Sequence, residues 1–156
     1  MDVLFLCTAN SCRSILSEAI FNQLAPAGLR GHSAGSFPKG EVHPLAIEAL
    51  QRAGVPVTGL SSKGTDAHEA LNPAIVITVC DKAAGEACPV YFGAAQKAHW
   101  GLSDPSDVEG TPEQIEAAFD QCVAIIRRRV QAFFDVQPTT LSREALQAEL
   151  SRIASL

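Results

Sequence analysis

The sequence lacks a long apolar run. Its N-terminal hydrophobic stretch, Val3-Leu4-Phe5-Leu6, is short and follows acidic Asp2. A membrane span needs roughly 20 apolar residues, and a secretory leader needs a basic start and an apolar core of about 7–15. A cytoplasmic protein with no membrane partner is therefore expected. Positive charge is scarce as well: 12 Lys and Arg stand against 17 Asp and Glu, a net charge of −5. That balance excludes a nucleic-acid partner gripped through its phosphates. The one basic cluster, Arg127-Arg128-Arg129, lies in a helical pattern and reads as a solvated face. The overall field repels anions, so an anionic ligand must be held by a local concentration of donors.

Pairing patterns among the cysteines are missing too. The chain has five cysteines, an odd number, with no C-x-x-C spacing, and Cys80 to Cys88 is too wide for a zinc knuckle. His32, His43, His68 and His99 are dispersed and lack metal-ligand spacing. In a reducing compartment this excludes a disulfide framework, and neither a metal nor a bound cofactor is expected. The cysteines are then core or reactive. There is also no repeat, low-complexity tract or second large domain.

What is present alternates between strand and helix. Residues 3–6 read as a central strand buried on both faces. Residues 14–24 follow with a helical pattern, Leu16, Ala19, Ile20 and Leu24 on one side, stopped by Pro26 and Gly28. Residues 29–36 predict a second strand. Pro44 opens and Gly54 closes a helix whose core face is read as Ile47 and Leu50. A short helix is expected within the loop-rich stretch 59–72. Residues 74–79 are a second strong buried strand ending at Cys80, and 81–96 form a long connection with Gly85, Pro89 and Gly93. Residues 97–100 predict a short last strand leading to Asp104-Pro105. Thr111-Pro112-Glu113-Gln114 is a capping box, opening a helix with Ile115, Phe119, Cys122, Ile126, Val130 and Phe133 at helical spacing. After Pro138 one more amphipathic helix carries Leu141, Leu146, Leu150 and Ile153. The pattern implies an α/β fold, a four-stranded parallel sheet with helices on both faces plus an extra C-terminal helix. The expected division is a main unit over residues 1–137 and a helical extension over 138–156, in a monomer.

Cys7-Thr8-Ala9-Asn10-Ser11-Cys12-Arg13-Ser14 contains C-x5-R. Spacing alone is weak, since Cys122 and Arg128 repeat it by coincidence inside a helix. The copy at Cys7 is different in context: a buried strand runs into it and a helix leaves it, at the end of a parallel sheet where ligands bind. A tight loop there turns successive amide N–H groups inward and makes an anion nest at a helix N-terminus. Arg13 adds a planar fork able to hold two oxygens of a tetrahedral anion. Cys7, at the base, is expected as a thiolate below the free value of about 8.5. Asn10 tolerates left-handed backbone and braces the loop, and Ser14 reads as a donor to Cys7. Thr8, Ala9, Asn10, Ser11, Cys12, Arg13 and Ser14 are the candidate oxyanion-binding residues. Cys122, on the apolar face of its helix, reads as core, and Cys12 stays open between a structural and a minor redox role.

Preceded by Val3-Leu4-Phe5-Leu6, this loop resembles that of the low-molecular-weight protein tyrosine phosphatase superfamily, and the likeness covers about residues 2–134. Asp104-Pro105 resembles the aspartate–proline loop of that superfamily, which implies a general-acid role for Asp104, and Ser33-Ala34-Gly35 resembles its second strand. One implied reading is a phosphatase hydrolysing phosphomonoesters. Such an enzyme has no use for Cys80 and Cys88. Val76-Ile77-Thr78-Val79-Cys80, with Cys88 before Pro89 and then His99-Trp100-Gly101-Leu102-Ser103-Asp104-Pro105, is similar to the thioredoxin-coupled arsenate reductases. That resemblance implies arsenate as substrate and Cys7, Arg13, Cys80, Cys88 and Asp104 as the catalytic set. It further implies a Cys7–Cys80 disulfide handed on as Cys80–Cys88, and an external thiol reductant, thioredoxin being the expected one, as partner and co-substrate. Neighbouring strands lie about 4.8 Å apart, within the disulfide Cα range of about 4.4–6.8 Å, so the first bond is reachable if the two strong strands pair. Gly85 gives the loop mobility for the handover. Some relatives hold potassium through an asparagine, a glutamate, a serine and an aspartate. Asn10, Glu18 and Ser33 match, but Lys63 stands at the aspartate's place, so its ammonium is expected to replace the ion and added potassium to change neither rate nor stability. Trp100 reads as packing, with fluorescence that reports loop movement.

Overall fold

The computed structural model describes residues 1–85 and 92–156. Cys88 therefore lies outside the described residues. The elements in chain order are β1 (Asp2–Cys7), α1 (Arg13–Leu24), β2 (Arg30–Gly35), α2 (Pro44–Arg52), β3 (Ile75–Thr78), α3 (Asp81–Ala84), β4 (Gln96–His99), α4 (Pro112–Asp135) and α5 (Arg143–Ile153). Single 3-10 turns stand at Thr65–His68, Pro105–Asp107 and Pro138–Thr140. The four strands form one parallel sheet in the order β2-β1-β3-β4. The expected α/β architecture is thus the observed one, with each strand within two residues of its predicted ends.

β1 is central because every side chain it carries from Val3 onward is apolar and both faces are covered. Val3, Phe5 and Cys7 point into the large core shared with α1, α2, α4 and α5, while Leu4 and Leu6 join Ala34, Val76, Phe92 and Ala95 in a smaller cluster. Phe5 meets Phe21 at 5.7 Å and Trp100 at 6.4 Å between ring centres. Each fully buried aromatic or aliphatic side chain of this kind stabilises the fold by roughly 1.5–3 kcal/mol.

Two readings of the helices need correction. α2 buries Ala46, Ala49 and Leu50, whereas Ile47 is only half-buried. Two small alanines bring this nine-residue helix close to its neighbours and turn Ile47 to the flank. The basic cluster of α4 is not a solvated face throughout: Arg128 is exposed, but Arg129 is 8% exposed. The capping box of α4 forms as its sequence requires, Thr111 accepting from the Gln114 amide and Gln114 from the Thr111 amide. α5 places Leu146, Leu150 and Ile153 in the same core as β1. Among the described residues no helix is long and apolar enough to cross a membrane.

Candidate active site

β1 ends at Cys7 and α1 begins at Arg13, so the intervening residues must reverse the chain within five positions. Asn10 does this with a left-handed backbone, φ 46°. It is fully buried, and its amide side chain ties the loop on both sides. Nδ2 donates to Ser14 Oγ at 2.8 Å and Oδ1 accepts from the Lys63 amide at 2.9 Å. The loop's carbonyls are turned outward and taken by donors from surrounding segments. Thr8 O accepts from Phe37 N, Ala9 O from Lys39 N and from Ser62 Oγ, and Ser11 O from His43 N, all within 2.8–3.1 Å. Among the described residues no main-chain oxygen accepts from the amides of residues 9–12. Cys12, the N-cap of α1, makes no side-chain cap hydrogen bond, so the first turn also keeps its donors. Amides left open at a helix N-terminus, with carbonyls satisfied outside, make an oxyanion cup.

β2 passes directly behind the cup, Gly35 pairing with Cys7. A Cβ on Gly35 would stand 2.5 Å from Thr8 O and 3.0 Å from Asn10 N, so only glycine lets the loop curl there. The resemblance at Ser33-Ala34-Gly35 had this steric meaning, although periodicity alone carried no sign of it.

Cys7 and Cys80 are brought together because β1 and β3 are neighbours, with Val79 N donating to Leu6 O at 2.9 Å one position short of the two thiols. Both are buried and free, and their titrations are linked. Cys80 Sγ also accepts from Ala83 N at 3.4 Å, capping α3, and lies 3.7 Å from Thr8 Oγ1. These contacts redistribute the charge expected on Cys7. The Cys7 thiol is the main influence that lowers Cys80, to about 5, with the amide of Ala83 and the hydroxyl and amide of Thr8 helping against burial. Cys80 and burial in turn raise Cys7, against the opposing pull of Arg13 and the Thr8 amide. One negative charge is thus shared by two sulfurs. Cys12 and Cys122 are raised chiefly by burial, Cys122 to about 12, and stay inert thiols at neutral pH.

This sharing has a measurable sign. Thiolate absorbance in the ultraviolet should be present at neutral pH and vanish as pH falls through about 5. Cys7→Ala should move that midpoint upward, because Cys80 loses its principal donor. Cys80→Ala should lower Cys7, because the largest upward influence on it disappears. A wild-type midpoint at the ordinary thiol value would refute the shared charge.

Arg13 leaves the cup toward the loop after β4. Its Nη1 donates to Leu102 O at 3.0 Å and its Nη2 lies 3.4 Å from Asp104 Oδ2. Asp104 Oδ1 accepts from the amide and hydroxyl of Ser106, at 2.9 and 2.6 Å, which fixes the carboxyl at the start of the Pro105–Asp107 turn. The structure therefore gathers Cys7, Arg13, Cys80 and Asp104 around one loop. Ser14 Oγ is placed differently from its reading, in contact with Asn10 rather than as a donor to Cys7. Beside the cup, Ser33 Oγ donates to Glu18 at 2.5 Å, and Lys63 Nζ lies 3.8 Å from the same carboxylate oxygen and 2.6 Å from Ser61 O.

The four histidines all serve local structure. His32 meets Asp2, His43 caps α2 by accepting from Leu45 N, His68 meets Ser33 O, and His99 joins Thr78 to Asp81. Among the described residues no group of three His, Cys, Asp or Glu is placed to hold a metal ion.

A cysteine seated beneath main-chain donors, with an arginine fork at the exit, defines an enzyme class that works on tetrahedral oxyanions through sulfur. Within it, this chain belongs to the low molecular weight phosphotyrosine protein phosphatase family, whose sequence model matches residues 2–150. The arsenate reductase of Bacillus subtilis (strain 168) is 32% identical over 131 residues, covering 84% of this chain and 93% of that protein. A solved thioredoxin-dependent arsenate reductase of Corynebacterium glutamicum is 28% identical with a TM-score of 0.59, covering 83% of this chain and 61% of that one. This chain thus spans less than two thirds of that protein's length. A structure of an arsenate reductase in the phosphate binding state matches at 25% identity and a TM-score of 0.69, over 96% of this chain and 98% of its own.

Proposed function

We propose that this protein reduces arsenate to arsenite. The observation that carries the reading is the placement of Cys7, under the cup, and Cys80 at the ends of neighbouring strands, Cys80 being a second sulfur that ester hydrolysis does not need. The amides of residues 9–13 and the free N–H groups of Arg13 hold the oxyanion, and relatives named arsenate reductases, one of them solved in a phosphate binding state, support that reading. With the shared proton resting on Cys80, the Cys7 thiolate attacks arsenic. An As–O bond breaks, and the departing oxygen takes a proton from Asp104 and leaves as water.

Cys80 acts next. Once the sulfur of Cys7 is bonded to arsenic, Cys80 passes its proton to an arsenic-bound oxygen, and the amide of Ala83 and the hydroxyl of Thr8 hold the charge left on its sulfur. Its thiolate attacks Cys7, the S–As electron pair passes to arsenic, and arsenite departs, leaving a Cys7–Cys80 disulfide. Cys88 then displaces Cys7 from Cys80, and an external dithiol, thioredoxin by analogy with the Corynebacterium enzyme, reduces the Cys80–Cys88 bond. Lys63 takes the place of a bound cation beside Glu18, so potassium has no role.

The test couples the protein to thioredoxin, its reductase and NADPH. Arsenate should drive NADPH oxidation with arsenite formed in equal amount, while p-nitrophenyl phosphate is hydrolysed slowly. Efficient ester hydrolysis that survives Cys80→Ser and Cys88→Ser, with no arsenate-dependent oxidation, would favour the phosphatase reading.

A further inference from the structure

Arg129 is buried in α4 beside Ile126, Val130 and Phe133. Its guanidinium is spent on main-chain oxygens: Nη1 donates to Gly101 O at 3.1 Å, Nη2 to Ala154 O at 3.0 Å and Nε to Leu156 O at 3.3 Å. Among the described residues no Asp or Glu side chain pairs with it. A buried cation without an Asp or Glu partner is tolerated where oxygens converge, and the residues just beyond α5, at the negative end of that helix, supply two of the three.

That arrangement bridges two segments far apart in sequence. Gly101 begins the loop that carries Asp104, and its neighbour Leu102 is held by Arg13. The C-terminal helix grips the same strand and loop at several levels. Gln147 Nε2 donates to Lys97 O, Gln96 Nε2 donates to Arg143 O, and Trp100 Nε1 donates to Leu150 O, at 2.8–3.0 Å. Adjacent carbonyls, Gly101 and Leu102, are therefore anchored by two guanidinia. Arg13 must also serve the oxyanion. Arg129 has no such second duty.

We propose that Arg129, steadied by the main-chain oxygens of Ala154 and Leu156 just beyond α5, is a positioning residue that keeps Asp104 at proton-donating distance while Arg13 engages the substrate. The inference rests on the general-acid reading of Asp104. It gives the C-terminal helix a task in catalysis beyond closing the core.

A double-mutant cycle tests it, with arsenate reduction measured at saturating thioredoxin for wild type, Arg129→Gln, Asp104→Asn and the double variant. General-acid contributions are about 10²–10⁴-fold, and partial misplacement should cost about tenfold in kcat, with KM for arsenate nearly constant. In the Asp104→Asn background Arg129→Gln should cost almost nothing more. A full loss in both backgrounds, or a raised KM with unchanged kcat, overturns the proposal. Asp104→Asn at the wild-type rate would instead remove the general acid itself, and the proposal with it. Should Arg129→Gln fail to fold, Arg129→Lys keeps the charge but not the three-way reach, and the same cycle applies to it.

Discussion

Serine at Cys7, Cys80 or Cys88 should each abolish sustained arsenate reduction, by about 10³-fold or more, yet arrest the protein at three different points. A hydroxyl neither bonds arsenic as a thiolate does nor forms a disulfide. Cys7→Ser should release no arsenite, because the first bond is never made. Cys80→Ser should also release none, because arsenic bound to Cys7 has no second sulfur to displace it. Cys88→Ser is the informative variant. It should form one equivalent of arsenite per protein and stop with a Cys7–Cys80 disulfide, two hydrogens lighter by mass. Burial explains why that disulfide persists: Cys7 and Cys80 are 5% and 3% exposed, out of reach for a protein reductant. The proposed handover to Cys88 would pass oxidation on from this buried pair. Turnover of Cys88→Ser at the wild-type rate would eliminate the relay, whereas a silent Cys7→Ser with fully active Cys80→Ser would eliminate reduction by this route altogether.

Much of this arrangement was legible in the residues because few local choices were available. A four-residue apolar run entering C-x5-R and leaving as a helix admits one placement, with the loop at the sheet's carboxyl edge. Burial on both faces put the two strong strands inside the sheet but left their pairing open, and the structure makes them neighbours. What stayed hidden belongs to the main chain. The donors that turn the loop's carbonyls outward are the amides of Phe37, Lys39 and His43, and an amide leaves no mark on residue identity. Arg129 was misread for the same reason. A run of three arginines normally faces solvent, and the acceptors that bury the third are carbonyls of residues 101, 154 and 156. The charge shared by Cys7 and Cys80 was equally invisible, because the loop pattern assigns the thiolate to Cys7 alone and leaves Cys80 as a strand-end cysteine.

Arg13→Lys should lower kcat/KM for arsenate by about 10²–10³-fold, although it leaves the net charge untouched. The loss is geometric. A guanidinium can donate to Leu102 O and Asp104 with one part of its fork and still offer parallel N–H groups to two oxygens of a tetrahedral anion. An ammonium is a single point that must choose between loop and substrate. If it turns to the anion, Leu102 and Asp104 lose their tie to the cup; if it stays with them, the anion keeps only amides. Arg13→Ala removes the charge as well, and Arg13 is an influence holding Cys7 down, so this variant should raise Cys7 further where Arg13→Lys does not. Steady-state kinetics combined with thiolate titration separate the two effects. Near-wild-type kcat/KM in Arg13→Lys would mean that a bare positive charge suffices at the cup, and the bidentate account of oxyanion binding would have to be abandoned.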